Sequence, residues 1–409
     1  MSQPARDKVL SAAFRRFWLG SSLSSFGSAV TSVALPVLVI HVLGATPFEV
    51  GIVNAAQFVP YAVLGLFAGV FIDRWHRRTV LIWAGVGRAL SLAMIPLFWW
   101  LGLLQVWLLV VLLLLFGACS GYGFGAAQSF LPQLVERTRL VSANARLDQA
   151  DNAAQTVGPT LGGSLVGLLG APVAILVDSV SFLVEAVLNA SIRLEEPRRP
   201  PTKRNLRAEI GQGWRATYRH RALGPLAIAT HVWFVANGMG LTAVALLALR
   251  SFGLSALTFG LLLSVAGIAG LLGATAAPAI GARLGIGRTI VLAFAAYPVG
   301  WLLVALAPLT GVGIVLLFVA LAAHGFAGGL ENPNSLGYRQ AVTPDALLGR
   351  VNALIRSANR TAGAVGALLG GATVALVGTQ PALVAVVVLF TAAAVIAARS
   401  PLRSAELPA

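Results

Sequence analysis

The chain has 409 residues, of which 57% are hydrophobic and only 11% charged, with a mean hydropathy of +0.84. Soluble domains carry about 25% charged residues, so this composition excludes an ordinary soluble domain and requires a polytopic membrane protein. The formal net charge of +15 is not a nucleic-acid footprint, because the basic residues stand in short segments between apolar runs, where they act as orientation anchors.

A spanning helix needs about 20 mostly apolar residues. In chain order, runs of that kind fall at 17–43, 50–72, 80–101, 104–124, 153–169, 173–192, 223–247, 258–280, 289–307, 312–330, 351–377 and 382–398. They predict an all-α membrane protein of twelve spanning helices. The first run is too long for a signal peptide and is soon followed by the second, so it reads as a retained helix. Basic residues recur in alternate connections: Arg15 and Arg16, then Arg74, Arg77 and Arg78, then Arg137, Arg139 and Arg146, then the stretch 193–221. Arg283 and Arg288, then Arg339, Arg350 and Arg356, then Arg399 and Arg403 continue the series. The connections at 101–104, 170–172, 309–311 and 378–381 hold none, and only Arg250 breaks the alternation. This bias places both termini and the long middle loop in the cytoplasm, which an even number of spans requires.

The polar segment at 193–222 divides a first half, 1–192, from a second, 223–409. Within it, 206–218 reads as an amphipathic surface helix with Trp214 toward lipid. The halves repeat. Asn144-Ala145 recurs as Asn352-Ala353, Leu161-Gly162-Gly163 as Leu369-Gly370-Gly371, and Gly170 as Gly378, all at one offset. Gly44 and Gly51 find counterparts in Gly253 and Gly260 at nearly the same offset. Two homologous six-helix bundles are the mark of a transporter with a central site between them.

Polar residues inside the runs are the candidates for function. Ser21, Ser25, Ser28 and Ser32 share one face of the first helix, either lining a substrate path or allowing close helix packing. Arg88, Asp178 and Glu185 are charges within spans, where an unpaired charge costs about 2.5–3.5 kcal/mol. Arg88 is expected to be structurally paired, and Glu185, near a span end, to snorkel. Glu331, in Glu331-Asn332-Pro333-Asn334, suggests a broken or wet helix end. Glu331, Glu49 and Asp178 are the candidate proton-coupling acids. The candidate substrate cavity draws on Ser25, Ser28, Ser32, Asn54, Gln57, Phe58, Tyr61, Tyr122, Gln128, His231, Trp233, Phe234 and Asn237, since apolar walls with a few polar groups suit a bulky amphipathic ligand. Cys119 is the only cysteine, which excludes an intramolecular disulfide. His231 and His324 lack ligand spacing, so no metal is expected. Nucleotide-loop, zinc-protease and serine-hydrolase motifs are lacking, so no cofactor or catalytic residue is expected and the chain is not read as an enzyme.

Between the second and third runs lies Gly69-Val70-Phe71-Ile72-Asp73-Arg74-Trp75-His76-Arg77-Arg78. This hairpin resembles the signature loop of the major facilitator superfamily, and its worn copy, Arg288-Thr289-Ile290 against Arg78-Thr79-Val80, puts Arg283 where Asp73 stands. Phe17-Trp18-Leu19-Gly20, Leu131-Pro132-Gln133-Leu134-Val135 and Gly349-Arg350-Val351 are similar to the bacterial branch that includes the enterobactin exporter and macrolide-efflux proteins. The resemblance implies two six-helix bundles in a bacterial inner membrane, and a conformational clasp formed by Gly69, Asp73, Arg74, Arg77 and Arg78. It also implies a monomer that exports a hydrophobic or amphipathic small molecule, such as a drug, siderophore or secondary metabolite, in exchange for protons. In that branch an acid often follows the glycine of the first helix; here Gly27 is followed by Ser28. The alternatives are a lipid or lysolipid transporter of the same fold, and a non-transporting membrane sensor.

Overall fold

The first helix begins where Ser11 can cap it: the serine hydroxyl accepts from the Phe14 amide. The computed structural model describes residues 11–60, 75–194 and 206–405, and all the regular elements among them are helices. Helix α1 (Ala12–Val37) runs into a π turn at Leu38–Val42. Helix α2 (Pro47–Ala56) opens with a capping box in which Thr46 and Glu49 satisfy each other's backbone amides. Then follow α3 (Arg77–Trp100), α4 (Val106–Leu134), α5 (Leu140–Leu169) and α6 (Ala171–Ala190). The amphipathic α7 (Leu206–Tyr218) precedes α8 (Leu223–Leu246), which ends in a second π turn at Leu247–Ser251. The second half closes with α9 (Ala256–Leu284), α10 (Ile286–Ala305), α11 (Gly311–Val342), α12 (Asp345–Val377) and α13 (Thr379–Arg399).

Among the described residues, ten helices are long and apolar enough to cross a membrane. The described part of α2 has only 10 residues, and α5 carries Arg146, Asp148 and Asp151 in its first half. Several helices outrun their apolar segments, three of them furthest. α4 continues to Leu134, α5 starts at Leu140, and α11 continues to Val342. Backbone hydrogen bonding does not stop where side chains turn polar, so hydropathy marks the membrane core and not the helix end. Of the two alternatives at Glu331–Asn334, a broken or a wet helix, the break is absent, because α11 runs through Pro333. One missing backbone donor is tolerated there. The Asn334 amide donates to the Leu330 carbonyl at 2.8 Å, and Gly325 and Gly329 bring α11 directly onto the backbone of α9.

Helices α1 to α6 pack on one another, as do α8 to α13. The internal repeat is visible in the backbone. Gly44 and Gly253 follow the two π turns with φ of +60° and +63°, and Gly170 and Gly378 head α6 and α13 with φ of +82° and +92°. These left-handed conformations favour glycine. The two sets meet mainly through α5 against α9 and α2 against α12, which the repeat relates to each other.

Candidate functional site

At the end opposite the arginine-rich loops the two helix sets touch through glycine. A Cβ at Gly371 would lie 2.6 Å from the Pro47 carbonyl and 2.8 Å from the Gly51 Cα. The related contact sets Gly260 against the Pro159 carbonyl and Gly163 Cα. Polar bonds cross beside them: Asn54 donates to Thr242 at 3.1 Å, and Thr160 pairs with Ser264 at 2.8 Å. Arg250, the exception to the charge alternation, donates to the Ala45 carbonyl at 2.7 Å. Its position is explained by this bond between the halves.

Toward the arginine-rich end α8, α10, α11 and α12 line a cavity of about 500 Å³, to which the first half adds Phe124. Trp233, Phe234, Phe294 and Tyr297 form its apolar floor. Behind them Trp301 donates to His324 at 3.0 Å, and Phe390 stacks on both Tyr297 and Trp301. Glu331 and Arg339 reach the cavity from α11, and Asn352, Arg356, Asn359 and Arg360 reach it from α12. Glu331 accepts from the Ser335 hydroxyl. The Arg356 guanidinium lies over Phe124 at 4.3 Å and that of Arg360 over Phe58 at 5.5 Å, so α12 reaches across to α4 and to the residues after α2. Tyr297 is 1% exposed, yet its hydroxyl has no hydrogen-bond partner among the described residues, nor has Trp233 Nε1 or Arg339 Nε. The Trp233 and Tyr297 rings meet edge to face, with centroids 5.5 Å apart.

A polar chain leads from this cavity to the surface helix. His231 Nδ1 meets Asn359 Oδ1 at 2.6 Å, and its Nε2 meets the Tyr218 hydroxyl at 2.8 Å. Burial raises Tyr218 above the ordinary tyrosine range, so the phenol stays protonated and can donate to Nε2. Trp214, more than half exposed, packs at a tilt against Tyr218, with ring centroids 4.2 Å apart.

A second polar cluster lies within the first half. Asp178 is fully buried and accepts from Thr31 at 2.6 Å, Ser181 at 3.2 Å and Ser28 at 3.5 Å. A Cβ at Gly27 would strike its carboxylate. The acid missing from α1 after Gly27 is thus matched by one that α6 brings to the same place. Arg88 is paired, as its depth requires, and its partner is Glu185 at 3.1 Å. Glu185 therefore does not snorkel: it is 7% exposed and paired with Arg88 of α3, whose loss would leave its charge buried and uncompensated.

The other sequence candidates are dispersed. Gly69, Asp73, Arg74 and Tyr61 lie outside the described residues. Arg77 opens α3 in a buried position, and Arg78 donates to the Asn189 and Ala190 carbonyls at the end of α6, where a cation suits the helix terminus. Ser25 donates to Asp151 of α5, and Ser32 to its own helix at Ala29. Glu49 is occupied in the α2 cap. Gln57 ends α2, Tyr122 packs beside the Phe14, Phe17 and Phe130 core, Gln128 is exposed, and Asn237 is half-buried on α8. Of the candidates, Trp233, Phe234 and Glu331 line the cavity, with Phe58 beneath Arg360 and His231 behind Asn359. Sequence reading missed Tyr297, Asn352, Asn359 and Arg360 and took Arg356 for an orientation anchor. The signal was present: 352, 356, 359 and 360 share one helix face of an apolar run.

A family model described as Major Facilitator Superfamily matches residues 17–310 and, again, 226–408. The chain is 28% identical to the multidrug efflux pump Tap of Mycolicibacterium fortuitum, over 91% of this chain and 90% of that one. It is 25% identical to the enterobactin exporter EntS of Escherichia coli O1:K1 / APEC, over 88% and 85%. Among solved structures, a bacterial homologue of the iron transporter ferroportin in an inward-facing state superposes with a TM-score of 0.75 at 17% identity, covering 97% of this chain and all of that one. The nucleoside transporter NupG gives 0.74 at 14% identity, covering 95% and 98%. With its all-helical fold, its repeated halves and a family match that spans both of them, the chain belongs to the major facilitator superfamily.

Proposed function

We propose that the chain is a proton-coupled exporter of hydrophobic or amphipathic small molecules, working by alternating access in a bacterial inner membrane with both termini cytoplasmic. The observation that carries this reading is the cavity of α8, α10, α11 and α12, lined also by Phe124 of the other half and walled by exposed residues such as Asn332 and Leu336, with glycine contacts sealing the two halves together at the opposite end. If the arginine-rich end is cytoplasmic, as the charge bias indicates, this arrangement is the one that loads from the cell interior. Rocking the two sets would part the seal and close the cavity mouth. The mixed apolar and polar lining suits an amphipathic ligand, and efflux proteins such as Tap and EntS are relatives over most of the chain.

Glu331 is the coupling acid we favour, because it is the acid on the cavity wall among the described residues. A carboxylate with Ser335 and Arg339 nearby on its own helix can change partners when it gains or loses a proton. Susceptibility profiling of cells expressing the chain tests the reading. The wild type should raise tolerance to some amphipathic compounds and Glu331→Gln should not. Equal susceptibility across a broad compound panel contradicts export of this class.

A further inference from the structure

Helix α7 has two unlike faces. Gly213 and Thr217 are buried on one of them. A Cβ at Gly213 would lie 3.2 Å from the Arg350 carbonyl oxygen, and Gln212 accepts from the Arg350 guanidinium, so α7 is docked on the start of α12. On the other side Arg207, Arg215 and Arg219 are exposed together with Trp214, all within an arc of about 140° around the helix. Arg221, just past the helix end, is exposed too. From 206 to 221 the chain has four arginines and one acid, Glu209. Among the described residues none of these arginines forms an ion pair.

The depth of this face follows from the chain. Only residues 219–222 separate α7 from the apolar α8, so Tyr218 lies no more than about 18 Å from Leu223. The Tyr218 hydroxyl holds the helix end closer still, since its partner His231 stands about two turns into α8. Basic residues and an exposed indole beside the start of a span match the headgroup layer, where tryptophan keeps its ring at the apolar boundary. Guanidinium forks fit phosphate oxygens.

We propose that this face of α7 binds the headgroups of anionic phospholipids, with Arg207, Arg215 and Arg219 on the phosphates and Trp214 at the acyl boundary. The assignment goes beyond the transport reading and does not depend on it. The bonds from Tyr218 through His231 to Asn359 connect this surface to the cavity wall.

Amide exchange of the full chain in nanodiscs tests the assignment, with phosphatidylcholine alone compared with an equal mixture of phosphatidylcholine and phosphatidylglycerol. Exchange over Leu206–Tyr218 should slow at least about fivefold in the anionic discs, the effect of a single arginine near an anionic surface. Exchange in α13 should stay the same. High salt should remove most of the slowing in the wild type, and Arg207→Gln/Arg215→Gln/Arg219→Gln should abolish it at low salt. Inorganic phosphate added to phosphatidylcholine discs should not reproduce it, which separates a lipid headgroup from a free anion. Equal exchange in the two kinds of disc, slowing shared by every helix, slowing that persists in high salt or in the glutamine variant, or the same slowing with inorganic phosphate overturns the proposal.

Discussion

Removing Arg88 strands the Glu185 carboxylate in a buried interface between α3 and α6. Breaking a buried pair on one side costs about 3–5 kcal/mol, whereas replacing both partners by apolar groups is often nearly neutral. Arg88→Met should therefore lower the melting temperature of the purified protein sharply, and Arg88→Met/Glu185→Leu should recover most of the loss. No recovery in the double variant would mean that the pair's partners, and not its charge balance, hold the interface. Asp178 is embedded in the same way, and Asp178→Leu should destabilise through the stranded Thr31 hydroxyl. At this scale the need was legible and the partner was not. Depth in an apolar run says that Arg88 must be paired, but Glu185 is distant in sequence and meets it only through helix packing. The serine stripe shows the same limit: its spacing is real, yet Ser25 and Ser28 turn to acids on different helices.

The elements that join the halves depend on glycine, where two backbones approach too closely for any side chain. Gly371→Leu should push α12 off α2 and open the sealed end. A cysteine placed at Asn54 in a Cys119→Ser background reads this out. Labelling by a membrane-impermeant maleimide should be slow when Gly371 is intact and fast in the leucine variant, and unchanged labelling would show that these contacts do not hold that end shut. These glycines were legible as a repeat, because Gly51 matches Gly260 and Gly163 matches Gly371. Their role was not, since a constant offset reveals homology and not which copy touches which. On α12 the polar face at 352, 356, 359 and 360 was hidden by the positive-inside reading, which treats every arginine near a span end as an anchor. The surface helix α7 is tied to that face through Tyr218 and His231. Tyr218→Phe removes one bond of this chain and should loosen α7, seen as faster amide exchange over Leu206–Tyr218.

For the whole molecule, composition, run length and charge alternation were enough for the fold class, and the hairpin at 69–78 with its worn copy pointed to the superfamily. The cavity was legible only in part. It is assembled from α8, α10, α11 and α12 with contacts from the other half, and hydropathy cannot distinguish Phe294 and Tyr297 on its floor from residues facing lipid. The central claim is that a proton gradient drives this cavity's exchange of sides through Glu331. It is tested most directly by the flux of an amphipathic compound in vesicles containing the purified chain, with a pH gradient imposed in either direction. The account predicts that the wild-type flux follows the gradient and that the Glu331→Gln flux ignores it. A wild-type flux indifferent to the gradient in both membrane orientations would contradict it.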